Sequence, residues 1–394
     1  MEKLKKTPLL RFPEFEVEWK FEPLENYIEL YSGIALKGHE ITDDESGTPI
    51  LRGINITEGF IRHTTEIDKF YLGNTSKLEK YLVKENDIVL GMDGSKVGKN
   101  VALIKKEDEN SILIQRVARI RSNDKSDIKY IYQQIFSKKF RDYVDVVNTS
   151  SGIPHISSQQ IKDFKVGFSS LAEQTKIATF LTAVDEKLTT LKQKKTLLEQ
   201  YKKGGMQKIF SQELRFKDDN RNEYPDWEEK KLGDCLDYIQ PTKYLVSNTE
   251  YDNSYSTPVL TAGKTFILGY TNETNGIFEN NLPVIIFDDF TTATQFVDFP
   301  FKAKSSAMKI LIAKEGINIK FIYEAMQVMN YEVGGHERHW ISKFAPLEIL
   351  IPSTEEQIKI ANFLSAIDEK INHCQSQIEK TEVWKKGLLQ QMFV

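Results

Sequence analysis

A fifteen-residue stretch occurs twice in this chain, and it constrains the fold more than any other feature. Residues 173–187 and 356–370 align without a gap at an offset of 183, and eleven of the fifteen positions are identical. A match of this length indicates an internal duplication. The chain should therefore fold as two similar halves, and its function must explain why there are two.

The two halves also begin alike. Leu-Arg-Phe stands at residues 10–12 and again at 214–216, followed by Trp19 and Trp227 respectively. Between these openings and the repeated stretches, short β-branched runs alternate with helix-spaced segments and turn-rich loops, which predicts mixed α/β structure. These regions share their order of elements but little identity. We therefore predict α/β domains at 1–168 and 211–351, followed by helical segments at 169–210 and 352–394.

Both copies of the repeat have the pattern of a helix start. Ser170 and Ser353 precede Glu173 and Glu356 by three residues. This is the spacing of a capping box, in which hydroxyl and carboxylate satisfy free amides at the helix start. Each helix should run for about 30 residues, or roughly 45 Å. The first should end near residues 204–205, where two glycines follow each other.

Apolar residues recur along both helices at alternating spacings of four and three, which is typical of a coiled-coil seam. The seam residues are Ile177, Leu181, Val184, Leu188 and Leu191 in the first helix and Ile360, Leu364, Ile367, Ile371 and Ile378 in the second. Two equivalent helices most simply pack on each other around a pseudo-two-fold axis, as an antiparallel pair. The predicted fold class is thus α+β, with two α/β domains separated by an antiparallel coiled coil. The alternative is that both are ordinary amphipathic core helices.

Composition excludes several classes of protein. Net charge is −4, and the halves carry +4 (residues 1–210, 34 basic against 30 acidic) and −8 (residues 211–394, 19 against 27). Any polyanion site must therefore be a local face. No apolar run approaches the roughly 20 residues of a membrane span. Two cysteines make neither a disulfide framework nor a zinc site. A reducing, cytoplasmic setting is expected.

DNA is a ligand whose own symmetry fits a duplicated chain. A duplex has two-fold axes perpendicular to its length, and half-sites one turn apart are separated by about 34–36 Å. A pair of helices of the expected length could hold two readers in successive major grooves.

The repeated helix resembles a known family. The duplicated Ser-x-x-Glu-Gln-x-Lys-Ile-Ala-x-Phe-Leu-x-x-x-Asp-Glu-Lys pattern, with the Leu-Arg-Phe and Trp openings, is similar to the conserved regions of the specificity subunit of type I restriction–modification systems. The resemblance runs from about residue 10 to the end of the chain, and it is specific in the helices and weak in the domains.

That resemblance implies a chain that is not itself an enzyme. It would bind double-stranded DNA at a bipartite site through two target recognition domains. It would recruit two methyltransferase subunits, which methylate adenine with S-adenosylmethionine, and two restriction subunits, which use ATP and magnesium. The helices would set the spacer between half-sites and help dock the methyltransferase subunits. A restriction subunit need not be present, because orphan and phase-variable specificity subunits share this pattern.

Base readout requires polar side chains on loops, and basic or hydroxyl side chains hold phosphates. In the first domain the candidates are Lys37, His39, Arg52, Asn55, Asp93, Gly94, Ser95, Lys96, Lys99, Arg116, Ser151 and His155. In the second domain they are Thr242, Lys243, Tyr244, Lys264, Thr265, Thr291, Thr292, Lys304, His336, Arg338, His339 and Lys343.

Other chemistry finds little support. The run from Gly94 to Lys99 is one residue short of a P-loop and lacks its Ser/Thr. Asp288 and Asp289 follow a strand, where a loop contact or cap is expected rather than a metal site. His336 and His339 are three apart behind two glycines, which favours a loop over a zinc helix. We expect no metal or cofactor in this chain. Two alternatives remain: a helical scaffold joining two protein partners without DNA readout, and a single-chain nuclease or methyltransferase.

Overall fold

The structure, a computed structural model, describes residues 7–148, 152–263, 265–329 and 338–393. The chain forms two compact units. Unit 1 consists of residues 1–191 and 377–394, and unit 2 consists of residues 192–376. In the described ranges, no helix has the length and apolar composition required to cross a bilayer.

Unit 1 is a mixed α/β domain. Its strands are β1 Lys20–Pro23, β2 Ile28–Ser32, β3 Ile41–Thr42, β4 Thr48–Leu51, β5 Lys69–Tyr71, β6 Ile88–Gly91, β7 Val101–Leu103, β8 Ile112–Leu113, β9 Val117–Ser122 and β10 Lys165–Phe168. Its helices are α1 Ile128–Ile135, α2 Lys138–Val147, α3 Ser158–Asp163 and the start of α4 Leu171–Phe210. An antiparallel sheet has the order β2-β9-β6-β7, a second sheet has the order β3-β5-β4-β8, and β1 pairs with β10.

Unit 2 repeats this plan. Its strands are β11 Glu228–Lys231, β12 Leu236–Ile239, β13 Thr257–Leu260, β14 Ile267–Thr271, β15 Val284–Asp288, β16 Thr294–Val297, β17 Lys302–Ala303, β18 Met308–Ala313 and β19 Glu348–Ile351. Its helices are α5 Leu232–Cys235, α6 Ile319–Val328 and the start of α7 Thr354–Met392, and a π-helical turn spans Trp340–Phe344. The sheets have the orders β12-β18-β15-β16 and β14-β13-β17, and β11 pairs with β19. Both halves contain the predicted mixed α/β structure.

Strand β6 in unit 1 and strand β15 in unit 2 are each buried on both faces of the sheet, which explains their apolar sequences. Side chains alternate between the faces of a strand. In β6, Ile88 and Leu90 join the core beneath α1, whereas Val89 joins a separate cluster with Leu51 and Leu113. In β15 the residues divide in the same way between two clusters. The sheet therefore separates two small hydrophobic cores in each unit.

The opening of each half is bound to the start of its own long helix. Arg11 donates two hydrogen bonds to the Glu173 carboxylate, Nε at 2.7 Å and Nη2 at 2.8 Å, and Trp19 Nε1 donates a third at 3.3 Å. Glu173 is 1% exposed, so this carboxylate is buried with its cation. A paired and hydrogen-bonded charge is the form in which burial is tolerated.

Unit 2 contains the same constellation. Arg215 donates to the Glu356 carboxylate from Nε at 2.9 Å and Nη2 at 2.8 Å, and Trp227 Nε1 donates at 3.1 Å. The repeated Arg, Trp and Glu therefore form the same contact in both units, and this contact binds the opening segment of each half to the start of its long helix.

The capping-box prediction is half right. The Ser170 and Ser353 hydroxyls accept from the Glu173 and Glu356 amides at 3.3 and 3.4 Å. The two carboxylates turn instead to the arginine and tryptophan side chains, because a buried carboxylate gains more from a guanidinium than from one amide.

The glutamine that follows each of these glutamates also has a tertiary role. Gln174 Oε1 accepts from the Asp127 amide at 3.2 Å, and Gln357 Oε1 accepts from the Asn318 amide at 2.8 Å. Asp127 and Asn318 are the N-cap residues of α1 and α6. The repeated Glu-Gln pair thus joins three elements of its domain.

Both long helices are longer than predicted. The α4 and α7 helices have 40 and 39 residues. At the usual helical rise of about 1.5 Å per residue, each is roughly 60 Å long. Residues 204–205 do not end α4, which continues to Phe210. Tertiary packing of Met206 and Ile209 in the core of unit 2 outweighs the poor helix propensity of two glycines.

Eight of the ten seam residues are buried and Leu191 and Ile371 are partly exposed, but the first half of each seam packs on its own domain. Ile177, Leu181 and Val184 belong to the core of unit 1, and Ile360 and Leu364 belong to that of unit 2. These segments behave as amphipathic core helices, the alternative interpretation of the repeat. Leu388 and Met392 of α7, and Phe393 directly after it, also enter the unit 1 core, where the Phe393 and Tyr130 ring centroids are 5.5 Å apart.

Candidate nucleic-acid interface

Three loop segments of unit 1 meet at the ends of strands β6 and β9. The Met92 amide donates to the Arg116 carbonyl at 2.9 Å, and the Ile156 amide donates to the Met92 carbonyl at 2.8 Å. The Gly94 amide donates to the Pro154 carbonyl at 2.9 Å, and Asp93 forms an isolated bridge with His155. The structure therefore brings Asp93, Gly94, Arg116 and His155 together at one edge of the sheet. We call this group of loops the unit 1 edge.

Arg116 is the most prominent side chain of the unit 1 edge. It is 67% exposed, and its Nη1 lies 3.0 Å from Oδ2 of Asp93, which is 22% exposed. Its φ of 68° places it in the left-handed region. That region is uncommon for a residue with a side chain. The hydrogen bond from Met92 to the Arg116 carbonyl holds this conformation. The arginine thus projects from an anchored backbone and stays accessible.

The loop after β2 joins this edge at its start. The Gly33 amide donates to the Val117 carbonyl at 2.9 Å, and the Gln115 amide donates to the Ile34 carbonyl at 2.8 Å. A Cβ on Gly33 would lie 2.0 Å from the Ile114 carbonyl oxygen. Only glycine therefore fits this close approach of two backbones. Lys37 and His39 are exposed farther along this loop.

The turn after Gly94 presents basic and hydroxyl side chains. Ser95, Lys96 and Lys99 are exposed or partly exposed, and amides of residues 97, 99 and 100 bond back to the carbonyls of Gly94 and Lys96. Accessible lysines on a tight turn are suited to phosphate contacts. Gly98 closes the turn against Val144, where a Cβ would lie 3.1 Å from that side chain.

Two candidates of unit 1 have structural roles instead. Asn55 is 1% exposed; its Oδ1 accepts from the Arg52 amide at 3.1 Å and its Nδ2 donates to Arg62 and Asp68. The Arg52 side chain donates to the Ile67 carbonyl. The Asn55 amide predicted to contact DNA is thus buried and bonded within the loop.

A histidine held between two carboxylates closes the same loop. His63 Nδ1 lies 3.1 Å from Asp68 Oδ1, and its Nε2 lies 2.7 Å from Asp108 Oδ1. Partial burial lowers the pKa of His63, but the two aspartates outweigh this effect and raise it above its ordinary value.

The equivalent loops of unit 2 carry different side chains on the same backbone frame. The Asp289 amide donates to the Ala307 carbonyl at 3.1 Å, and the His339 amide donates to the Asp289 carbonyl at 2.8 Å. These bonds correspond to those that join Met92 to Arg116 and to Ile156. We call these segments of unit 2, with Phe290 to Thr292, the unit 2 edge.

Both aspartates at the unit 2 edge act as caps, as the sequence predicted. The Asp288 carboxylate accepts from the Phe290 amide at 2.9 Å and the Thr291 amide at 3.2 Å. Oδ1 of Asp289 accepts from the Trp340 amide at 2.9 Å, and its Oδ2 lies 3.5 Å from Lys309 Nζ. Within the described part of the chain, no cluster of three His, Cys, Asp or Glu side chains could hold a metal ion.

The remaining candidates of unit 2 are divided by burial. His339, predicted to contact DNA, is fully buried. Tyr244 packs on Phe278 with ring centroids 5.0 Å apart. The exposed or partly exposed candidates are Thr242, Lys243, Thr265, Thr291, Thr292, Lys304, Arg338 and Lys343. Three others, Ser151 in unit 1 and Lys264 and His336 in unit 2, lie outside the described residues.

A buried ion pair holds the loop before β13 in unit 2. Lys302 is 3% exposed, and its Nζ lies 2.8 Å from Glu273 Oε2 and 2.6 Å from the Asn275 carbonyl oxygen. Glu273 also accepts from the Ser247 amide and hydroxyl. Burial opposes ionisation of Glu273, but Lys302 and Ser247 outweigh it and lower the pKa of Glu273 to about 2.

Comparison with known proteins accounts for the duplicated frame. A family model described as the type I restriction modification DNA specificity domain matches residues 16–200 and again residues 224–381. The chain belongs to this family of type I restriction–modification specificity proteins. Each match covers one α/β domain together with most of the helix that follows it, so the chain contains two specificity domains.

Relatives and a solved structure agree with this assignment. A type I restriction enzyme specificity subunit of Escherichia coli is 50% identical over 133 residues, which are 32% of this chain and 33% of that protein. A Methanocaldococcus jannaschii chain provisionally named as such a subunit is 25% identical over 430 residues, covering 98% of this chain and 95% of that one. The crystal structure of a type I S subunit from M. genitalium has the same fold, with a TM-score of 0.69 at 19% identity over 98% of this chain and 99% of that one.

Sequence reasoning missed one exposed residue of the unit 2 specificity domain. Phe290 is 41% exposed and directly follows the two aspartate caps. Its place on the unit 2 edge, rather than its exposure alone, makes it a candidate. The signal was present in the Asp-Asp-Phe-Thr-Thr run, but only the hydrogen-bond frame shows that this position corresponds to Asp93.

Proposed function

We propose that this chain is the DNA-reading subunit of a type I restriction–modification complex. It binds a bipartite site in double-stranded DNA, one half-site through each specificity domain. One observation carries this proposal: the unit 1 and unit 2 edges share a backbone frame and differ in side chains. A constant frame with divergent loop residues is suited to two readers with different target sequences.

We propose further that α4 and α7 pair as an antiparallel coiled coil that sets the spacer between the half-sites. Contacts within each unit support this pairing. In unit 1, Lys385 Nζ lies 2.5 Å from Asp185 Oδ1, and Trp384 packs edge-on against Phe180 at 6.0 Å. Each domain thus binds the C-terminal part of the helix that follows the other domain.

Unit 2 has the same two contacts at equivalent positions. Lys202 Nζ lies 2.8 Å from Asp368 Oδ1, and the Tyr201 and Phe363 ring centroids are 6.4 Å apart. Glu324, fully buried, adds a further ion pair to Lys202 at 2.9 Å. Removing one member of such a network leaves a buried charge without its partner, which is strongly destabilising.

We propose that catalysis is supplied by partners. Two methyltransferase subunits dock on the helical segments and methylate adenine with S-adenosylmethionine, and two restriction subunits use ATP and magnesium to cleave unmodified DNA in the cytoplasm. This chain itself holds no cofactor in the proposal. Its contribution is to select the DNA and to place the methyltransferase subunits on it.

Expression with a methyltransferase subunit tests the proposal. Methylated adenines in the host DNA should fall in one bipartite motif with a spacer of unspecified bases, and the two subunits should co-purify. Co-purification without any sequence preference would instead support a helical scaffold. Methylation or cleavage by the isolated chain would support a single-chain enzyme.

A further inference from the structure

The unit 1 and unit 2 edges can be aligned residue by residue through their strand register. Gly91 of β6 pairs with Val117 of β9, and Asp288 of β15 pairs with Met308 of β18. The amide of the residue after β6 donates to the carbonyl of the residue before β9. In the same way, the amide of the residue after β15 donates to the carbonyl of the residue before β18. The position after that is Asp93 in unit 1 and Phe290 in unit 2. The residue preceding β9 is Arg116 in unit 1, and the residue preceding β18 is Ala307 in unit 2.

The two units place different side-chain chemistry at these two aligned positions. Unit 1 has an exposed guanidinium beside a partly buried carboxylate, Arg116 and Asp93, joined at 3.0 Å. Unit 2 has an exposed phenyl ring, Phe290, and a methyl group, Ala307. Neither of these two unit 2 residues carries a charge. The two edges share these main-chain hydrogen bonds, although Arg116 has a left-handed backbone and Ala307 does not, so the side chains decide what each edge can bind.

We propose that each edge reads one base pair in its half-site, and that Arg116 reads a guanine in one half-site while Phe290 contacts the methyl group of a thymine in the other. The inference rests on the proposed DNA-reading function and names the chemistry of its readout. Arginine forms two hydrogen bonds to O6 and N7 of guanine in the major groove, and apolar side chains contact the thymine methyl.

Asp93 acts as a positioning residue for Arg116. The guanidinium has five donors in a rigid fork, and Asp93 Oδ2 forms an ion pair with Nη1 at 3.0 Å, which leaves donors on the opposite side for a base edge. A held guanidinium loses less conformational freedom when it binds than a free one does. The carboxylate, 22% exposed, is too recessed to be the principal contact.

Phe290 is positioned by its backbone. The Asp288 carboxylate accepts from the Phe290 amide at 2.9 Å, and this aspartate ends strand β15. This hydrogen bond holds the backbone from which the ring extends, and the residue is 41% exposed. Apolar surface held in this way gains free energy when a thymine methyl group covers it.

The lysines near Arg116 have a different role in this arrangement. Lys96 and Lys99 lie on the neighbouring turn and carry single flexible charges. Such charges hold phosphates and strengthen binding to every sequence alike. A substitution at Lys96 should therefore weaken binding without changing the motif, whereas a substitution at Arg116 should change the motif.

The test compares methylation motifs of variants expressed with the methyltransferase partner. Arg116→Ala should relax one guanine position in a single half-site, lowering discrimination there about 10- to 100-fold, and leave the other half-site unchanged. Arg116→Lys should lose most of this preference, because lysine cannot form the paired hydrogen bonds. Asp93→Asn should weaken preference at that same position, whereas a purely structural role would weaken methylation at all sites equally.

Variants of Phe290 probe the other half-site. Phe290→Ala should relax one A·T position in that half-site by about 10-fold, and Phe290→Leu, which keeps an apolar tip, should retain most of the preference. Lys105→Ala is the matched control: Lys105 is 66% exposed and ion-paired to Glu107 at 3.5 Å, away from the unit 1 edge. Its motif should equal that of the unmodified chain.

The outcomes separate this inference from the function on which it rests. An unmodified chain that directs methylation to no motif would overturn the proposed function. A specific unmodified chain whose Arg116→Ala variant keeps the full motif would overturn the readout by Arg116. Relaxation of both half-sites by either variant would overturn the one-position assignment. Thermal unfolding of each variant should match that of the control, since both side chains are exposed.

Discussion

Removing the buried carboxylate at the start of α4 should loosen unit 1 and leave unit 2 intact. The change is Glu173→Gln, which keeps the size of the side chain and one acceptor oxygen. It removes the charge that faces the Arg11 guanidinium at 2.7 and 2.8 Å and weakens the acceptor of Trp19 at 3.3 Å. The hydrogen bond to Glu173 raises the pKa of Arg11. Without it the guanidinium still stays charged, because the ordinary pKa of arginine lies far above neutral pH.

The size of the expected loss of stability follows from the Arg11 charge, which stays largely buried without its partner. Breaking a buried ion pair by neutralising one partner costs about 3–5 kcal/mol. Arg11 is 13% exposed and also donates to the Val17 carbonyl, so water and this carbonyl recover part of that loss. We expect unit 1 to lose about 2–4 kcal/mol of its free energy of unfolding, which is a substantial share of a domain's stability.

Amide hydrogen exchange measured by mass spectrometry resolves the two units. Peptides from the core strands of unit 1 should exchange about 30- to 1,000-fold faster in Glu173→Gln, and peptides from unit 2 should not change. Glu356→Gln should give the reverse result. Glu186→Gln, an accessible glutamate on the same helix, is the matched control and should leave both units unchanged.

Two results would refute this reasoning. Equal exchange in the Glu173→Gln and Glu186→Gln variants would mean that the buried pair contributes no net stability. Faster exchange in both units from Glu173→Gln alone would mean that the carboxylate does not act within its own unit.

Three further predictions concern the helices and two ionised side chains. Adding one helical turn of four residues after Leu197 and after Lys380 should leave both half-site sequences unchanged and lengthen the spacer by about two base pairs, as read from methylation motifs; altered half-sites would contradict it. The pKa of Glu273 is lowered to about 2, so its contribution is complete above pH 4.5 and is lost as pH falls towards 2. Acid should therefore destabilise unit 2 by about 2 kcal/mol more in the unmodified chain than in Glu273→Gln. An equal loss of stability in both chains as the pH falls would contradict this. The pKa of His63 is raised, so its pairing stabilises unit 1 below about pH 6.5 and weakens as pH rises through the folded pKa. The unmodified chain should lose a little stability between about pH 6 and 8, and His63→Gln should not show this loss. The same pH profile of unfolding in both chains would argue against the pairing. The histidine side chain is 48% exposed. Solvent screening should therefore keep this effect below about 1 kcal/mol.

The predictable part of the fold depended on local patterns. Apolar periodicity located the long helices, and short β-branched runs located the central strands, because both patterns reflect one residue's neighbours along the chain. The predicted domain ends at 168 and 351 are also the last residues of β10 and β19. The helix ends were less predictable, since packing of Met206 and Ile209 in unit 2 carries α4 past two glycines.

The candidate site was predictable as loops but not as side chains. The sequence places Asn55 and His339 in polar turns, yet both are buried. A loop can fold its polar groups inward when backbone partners are available. Conversely, Phe290 was not among the candidates, and it is exposed. Burial is a property of long-range contacts, which no local pattern records.

The sequence by itself determined that the protein is duplicated, that each copy pairs an α/β domain with a long helix, and which family it resembles. Only the tertiary structure decided what the repeated residues do. Trp19 and Trp227 are 154 and 129 residues from Glu173 and Glu356 along the chain, yet each pair meets at hydrogen-bonding distance. The strand register likewise shows that Asp93 and Phe290 occupy one position. Sequence similarity is absent there because the backbone frame is held by main-chain hydrogen bonds, which leave the side chains free to differ.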